Sequence, residues 1–148
     1  MSDILDQCDG NLLTITLNRA EDGNGLNDAA IAQLTALLQG ASARARLVLL
    51  KAEGGDFCVG RLAPRGAAMP KLEALQVRRG RDVVFNCYAA FRESPVPIIA
   101  AVQGRALSAE LAVAACVRAR VEVLIANPRL PVLLAAIRAA ADLNAGHS

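Results

Sequence analysis

The stretch Pro95-Val-Pro-Ile-Ile-Ala-Ala-Val-Gln-Gly104 decides the fold class. Its two prolines end any helix that precedes them, because a proline inside a helix loses a hydrogen bond and clashes with the turn before it. Ile98 to Val102 is then a short unbroken apolar run, the pattern of a strand buried on both faces, and Gln103-Gly104 turns the chain. Working back toward the N-terminus, Leu47-Val-Leu-Leu50 is a second such run. Before it, Asn11-Leu-Leu-Thr-Ile-Thr-Leu17 alternates apolar and hydroxyl residues at period two, as a half-buried strand does.

The segments between these strands read as helices and loops. Asn18-Arg-Ala-Glu-Asp-Gly-Asn-Gly25 is a loop of turn formers, after which Asn27 or Asp28 caps a helix over Ala29 to Leu38. Ile31, Leu34, Leu37 and Leu38 give that helix its apolar stripe, and Gly40 stops it. Ala52-Glu-Gly-Gly-Asp56 leads into Phe57-Cys-Val-Gly60, and Arg61 to Pro70 is aperiodic. Beyond Pro70, Leu72, Leu75, Val83, Val84, Cys87, Tyr88 and Phe91 line one side of a second helix, weakened in its middle by Gly80. Downstream of Gly104, Ala109 to about Ala126 reads as a helix broken at Asn127-Pro128, and Val132 to Leu143 as a final one. The expected order is β-α-β-α-β-α-α, an α/β pattern whose crossovers are long enough for parallel strands.

The length of 148 residues allows one compact domain that buries roughly 70% of its unfolded surface. Hydrophobic residues make up 54% and aromatics 3%, which excludes disorder and leaves the core to Ala, Val, Leu and Ile. Sixteen basic against fourteen acidic side chains is too even a balance for neutralising nucleic-acid backbones, and one Tyr with three Phe gives little for base stacking. Nucleic acid is therefore not an expected partner. Cys8, Cys58, Cys87 and Cys116 show no C-x-x-C spacing, so they are expected as reduced thiols, without a metal site. The single His147 leaves no second histidine for a metal cluster. The most apolar stretch, Val96 to Val117, carries Gln103, Arg105 and Glu110, which argues against a membrane span. Without an apolar h-region near Met1, the expectation is a soluble, cytoplasmic protein.

Chemistry is expected where buried strands stop at small residues, at Phe57-Cys-Val-Gly60 and at Gly104-Arg-Ala-Leu-Ser-Ala-Glu110. In open α/β sheets the carboxyl ends of the strands bind ligands, and outward backbone N–H groups there stabilise a developing oxyanion. Glu110 fits the first turn of a helix, where the dipole favours a carboxylate with or without chemistry. Cys58 is a packing residue or, beside an anion site, a reactive thiol. Arg61 reads as a solvated surface side chain. Arg78-Arg79-Gly-Arg81 is a solvated helix face or a patch that steers phosphates.

These residues resemble a known family. Pro95 to Ser108, followed by Glu110-Leu-Ala-Val-Ala-Ala-Cys116, is similar to the crotonase, or enoyl-CoA hydratase/isomerase, pattern K-P-(V/I)-I-A-A-(V/I)-x-G-x-A-x-G-G-G-x-E-L-A-L-A-C-D. Asn24-Gly-Leu-Asn27 stands for the family's N-A-(L/M)-(N/S), and Phe57-Cys-Val-Gly60 for F-(S/C)-A-G, in the family's order. The resemblance covers residues 10 to 117, and residues 124 to 143 resemble a late family helix. It implies a single crotonase-like (ββα-type) α/β core, truncated, with mainly parallel buried strands and crossover helices.

The resemblance also implies an acyl-CoA thioester as substrate, with no tightly bound cofactor, in fatty acid metabolism. Val59 is then the first oxyanion N–H, and Ser108 or Ala109 the second. Asn24, Gly25, Leu26, Phe57, Cys58, Gly60, Arg61 and Gly104 lie against coenzyme A, and Glu110 corresponds to the first of two glutamates that handle water and protons. Assembly as a homo-oligomer, a trimer or a pair of trimers, is implied as well. The chain departs from the pattern at Ser108-Ala109, which stand where the family carries four residues including G-G-G. Two residues fewer rotate a helix by roughly 200°. After Cys116 the family's next strand and second glutamate have no clear counterpart, as if an internal block were missing. Two further readings follow: a non-catalytic binding or assembly subunit, and an internally deleted product that self-associates.

Overall fold

The computed structural model describes residues 2–62, 74–106 and 121–125. A mixed sheet is its centre, with strands β1 (Ile4–Asp9), β2 (Leu12–Leu17), β3 (Leu47–Ala52), β4 (Ile98–Val102) and β5 (Val121–Ile125) side by side in chain order. β1 and β2 form an antiparallel hairpin, and β2–β3, β3–β4 and β4–β5 pair in parallel. Helix α1 (Asp28–Gln39) makes the β2–β3 crossover, and α2 (Ala74–Arg92) lies between β3 and β4.

The sequence explains most of this. Leu13, Ile15 and Leu17 share a face with Val48, Leu50, Ile98 and Ala100, and Ile31, Leu34 and Leu38 of α1 with Cys87, Ala90 and Phe91 of α2 close over that face. On the other face Leu12, Leu47, Leu49 and Ala101 are buried too, as the unbroken apolar runs of β3 and β4 require. Truncating a core leucine such as Leu34 removes roughly 2–5 kcal/mol. α1 starts where Asn27 Oδ1 accepts from Ala30 N at 2.8 Å and ends at Gly40. The cap satisfies one of the orphan N–H groups of the first turn.

Three expectations are corrected. The sheet begins with β1, a strand absent from the expected order; only Ile4 of its six residues is buried, so it shows no alternation of buried and exposed positions. Asp9-Gly-Asn-Leu12 closes it onto β2 through a two-residue loop with Gly10 at φ +58°. Of the helix expected from Ala109 to about Ala126, only residues 121–125 are described, and they form the strand β5. There Val121, Val123 and Ile125 alternate with Glu122 and Leu124, and β-branched side chains at period two favour a strand. The order among the described residues is thus ββαβαββ, and a strand does follow the Cys116 region. The stripe of α2 is shorter than expected: Leu75 is 64% exposed, while Val83, Val84, Cys87 and Phe91 pack on the core. Leu72, Ser108, Ala109, Glu110 and the expected helix over residues 132–143 lie outside the described residues.

Candidate active site

Parallel pairing brings the carboxyl ends of β2, β3 and β4 to one edge, so the loops 18–27, 53–62 and 103–106 meet there. Their contact is specific. Cys58 pairs with Ala106 in a short parallel bridge, Phe57 N donates to Gln103 O at 2.9 Å, and Cys58 N donates to Arg105 O at 3.2 Å. The turns after β3 and β4 therefore lie side by side. On the other flank Leu26 bridges Arg61, with Leu26 N donating to Gly60 O at 2.8 Å and Leu62 N to Leu26 O at 2.9 Å.

Small residues are needed where these loops touch. Gly104 adopts φ +55°, and a Cβ there would stand 1.9 Å from Gly55 O. A Cβ on Gly25 would stand 2.5 Å from Leu62 Cγ. Asn24 is the loops' buried link: it is 1% exposed and holds φ +56°, a region asparagine tolerates better than most residues. Its Oδ1 accepts from Arg19 N at 2.8 Å, and its Nδ2 donates to both Glu53 O and Asp56 O at 2.7 Å.

Charge is arranged around the same turns. Asp56 accepts Arg105 N at 2.9 Å and the Arg105 guanidinium at 2.7–3.1 Å through both carboxylate oxygens. The guanidinium first, and the backbone N–H second, hold the Asp56 carboxyl below the usual carboxylate range. Arg61 reaches Asp28 Oδ1 through Nη2 at 2.6 Å and Nε at 3.2 Å, and the guanidinium lies over Gly80 of α2, where a Cβ would stand 2.9 Å from Nη2. Burial pushes the Cys58 thiol up, with the Gly60 N–H opposing. Cys58 is thus a core thiol rather than an activated nucleophile.

The structure sorts the expected site residues. Asn24, Gly25, Leu26, Phe57, Cys58, Val59, Gly60, Arg61 and Gly104 all fall in the loops that meet at this edge. Asn24 and Phe57 are buried and act on other protein groups, and the Arg61 guanidinium is paired with Asp28. Val59 is corrected as an outward donor: its N–H donates to Gly23 O at 3.0 Å, because the chain there lies against the β2–α1 loop. Two residues on, the Arg61 N–H has no acceptor among the described residues. Its bridge to Leu26 is made by Gly60 O and Leu62 N, and in a parallel ladder the residue between those two bonds turns its own N–H away from the partner strand. Only the pairing register reveals this donor. The Asp56–Arg105 pair has no local signature in the sequence, since an acid after Gly-Gly and an Arg after Gln-Gly stand forty-odd residues apart.

The profile of the family "Enoyl-CoA hydratase/isomerase" matches residues 7–122. The chain belongs to that family. It is 38% identical over 99 residues to a protein of Rhodobacter capsulatus described as "Probable enoyl-CoA hydratase", a match covering 66% of this chain and 37% of that protein. Among solved structures, the enoyl-CoA hydratase of Mycobacterium smegmatis superposes with a TM-score of 0.61 at 27% identity, covering 69% of this chain and 40% of the other. Pseudomonas aeruginosa AtuE superposes at 0.63 with 24% identity, which shows the shared crotonase fold, covering 70% of this chain and 41% of that one. The chain spans about two fifths of the length of each of these relatives. Among the described residues no helix is long and apolar enough to cross a membrane.

Proposed function

We propose that the chain binds an acyl-CoA thioester at the edge where the β3 and β4 turns meet, and acts as an enoyl-CoA hydratase or isomerase by stabilising the thioester enolate. The observation that carries this is the Cys58–Ala106 bridge, which sets the two turns side by side, with the Arg61 N–H left without an acceptor among the described residues. A backbone N–H fixed by its own ladder needs no reorganisation as charge builds on the carbonyl oxygen, which is what an oxyanion donor requires. Arg61 replaces Val59 as the first donor in this reading. Ser108 or Ala109 supplies the second, and Glu110 is the acid or base that moves the proton. No cofactor is required, since coenzyme A arrives as part of the substrate, and the exposed Leu75 and Phe85 of α2 suit a homo-oligomer.

Hydration of a four-carbon enoyl-CoA, followed by loss of the conjugated thioester absorbance, tests the reading. Turnover that Glu110→Gln lowers by about 100-fold supports it; no turnover by the unaltered chain rejects catalysis. The shortened Ser108-Ala109 turn favours a second reading, a non-catalytic binding or assembly subunit. Calorimetric titration with coenzyme A separates that from the first, because an assembly subunit has no need to bind it.

A further inference from the structure

We infer that Asp56 is a positioning residue: its two polar ends tie the loops after β2, β3 and β4 together and so set the spacing of the β3 and β4 turns. Its carbonyl accepts from Asn24 Nδ2 at 2.7 Å, which fixes it to the β2–α1 loop. Its carboxylate accepts from Arg105 N at 2.9 Å and from Nε and Nη2 of the same residue, which fixes it to the turn after β4. A charged acceptor taking a backbone N–H and a guanidinium fork is held in direction as well as distance.

The surroundings leave this contact little slack. Gly104, bent to φ +55°, presses its Cα side against Gly55 O, next to Asp56 in the chain. Gln103 Nε2 donates to Ala52 O at 2.7 Å, and Phe57 N and Cys58 N donate to carbonyls of the opposite turn. Asp56 thus stands at the hinge of a small cross-braced unit, one residue before the buried Phe57 and five before the Arg61 N–H. Displacement of a donor by about 1 Å costs on the order of 100-fold in rate, so a residue that touches no substrate can govern turnover through this unit. The effect on turnover rests on the proposed function; the effect on the turns does not.

Amide hydrogen exchange and steady-state kinetics on the full chain test the inference together, using Asp56→Asn, Arg105→Lys and the double variant. Asp56→Asn keeps an acceptor for the Arg105 N–H but removes the charge, and Arg105→Lys keeps the charge but removes the fork. The expected result is exchange at the Phe57 and Cys58 amides faster by about 10-fold in each single variant, with Leu13 and Ile15 unchanged and the double variant no worse than either single. For turnover, kcat falls by about 10- to 100-fold while KM stays within about twofold. Unchanged exchange at Phe57 and Cys58, exchange that rises equally in the core strands, or effects that add in the double variant would each overturn it. Absence of turnover by the unaltered chain would sink the proposed function alone, since the exchange data still decide the role of Asp56.

Discussion

The segment from Asp56 to Arg61 is anchored at both ends by an arginine–carboxylate pair, and the two pairs are unequal. At one end Asp56, its side chain 21% exposed against 64% for Arg105, takes the fork of Arg105 with both oxygens and adds a backbone N–H. At the other, Arg61 brings two nitrogens to a single oxygen of Asp28, and the partners are 44% and 56% exposed. The same chemistry therefore gives a braced joint on the β4 side and a loose clasp on the α1 side. Exposed ion pairs contribute little, so geometry and neighbours rather than charge decide which end is held.

The largest effect is expected where the braced joint is broken by shape. Gly104→Ala places a Cβ 1.9 Å from Gly55 O in a left-handed conformation, so neither the backbone nor a rotamer change relieves it; a loss of roughly 3 kcal/mol in urea unfolding is expected, with the turns forced apart. Asn24→Ala comes next. It strips Glu53 O, Asp56 O and Arg19 N of their buried partner and should cost roughly 2–3 kcal/mol, of which Asn24→Asp recovers only the part owed to Oδ1.

A pH series sharpens the contrast further. The Asp56 carboxyl is depressed in the folded chain, so its stabilisation is present above the ordinary carboxylate value of about 3.9 and is lost as pH falls through the lower folded value. Melting temperatures of the unaltered chain and Asp56→Asn should differ at neutrality and converge in acid below about pH 4. The smallest effect belongs to the loose clasp. In Gly80→Ala the atoms nearest the new methyl are those of the flexible Arg61 guanidinium, and alanine gains up to about 1 kcal/mol of helix propensity over glycine. Its urea midpoint should stay level or rise; a drop would show that the Arg61–Asp28 contact holds more than its exposure allows.

Much of this edge was legible in the sequence. Apolar runs gave β3 and β4 because strands buried on both faces need no polar interruption, and Asn27 gave the start of α1 because its side chain caps locally. What escaped was whatever depends on a partner distant in the chain. β1 carries a single buried residue and exists through its pairing with β2; β5 sits in a helical-looking stretch that β4 recruits. Likewise, Asn24 reads as a loop residue near a ligand, while its side chain is spent on three backbone groups of two loops. That the Val59 N–H is taken by Gly23 O, while the Arg61 N–H has no acceptor among the described residues, depends on register, which no single segment encodes.

The two-residue loop at Gly10 also bears on how the molecule is put together. Joining β1 to β2 closes almost no chain, whereas joining β2 to β3, or β3 to β4, requires ordering a helix-bearing crossover before the first ladder bond forms. Loop-closure entropy thus makes the hairpin the least costly part of the sheet to assemble and the meeting of the β3 and β4 turns among the most costly. The edge proposed to carry chemistry is completed only after the long-range crossovers have closed.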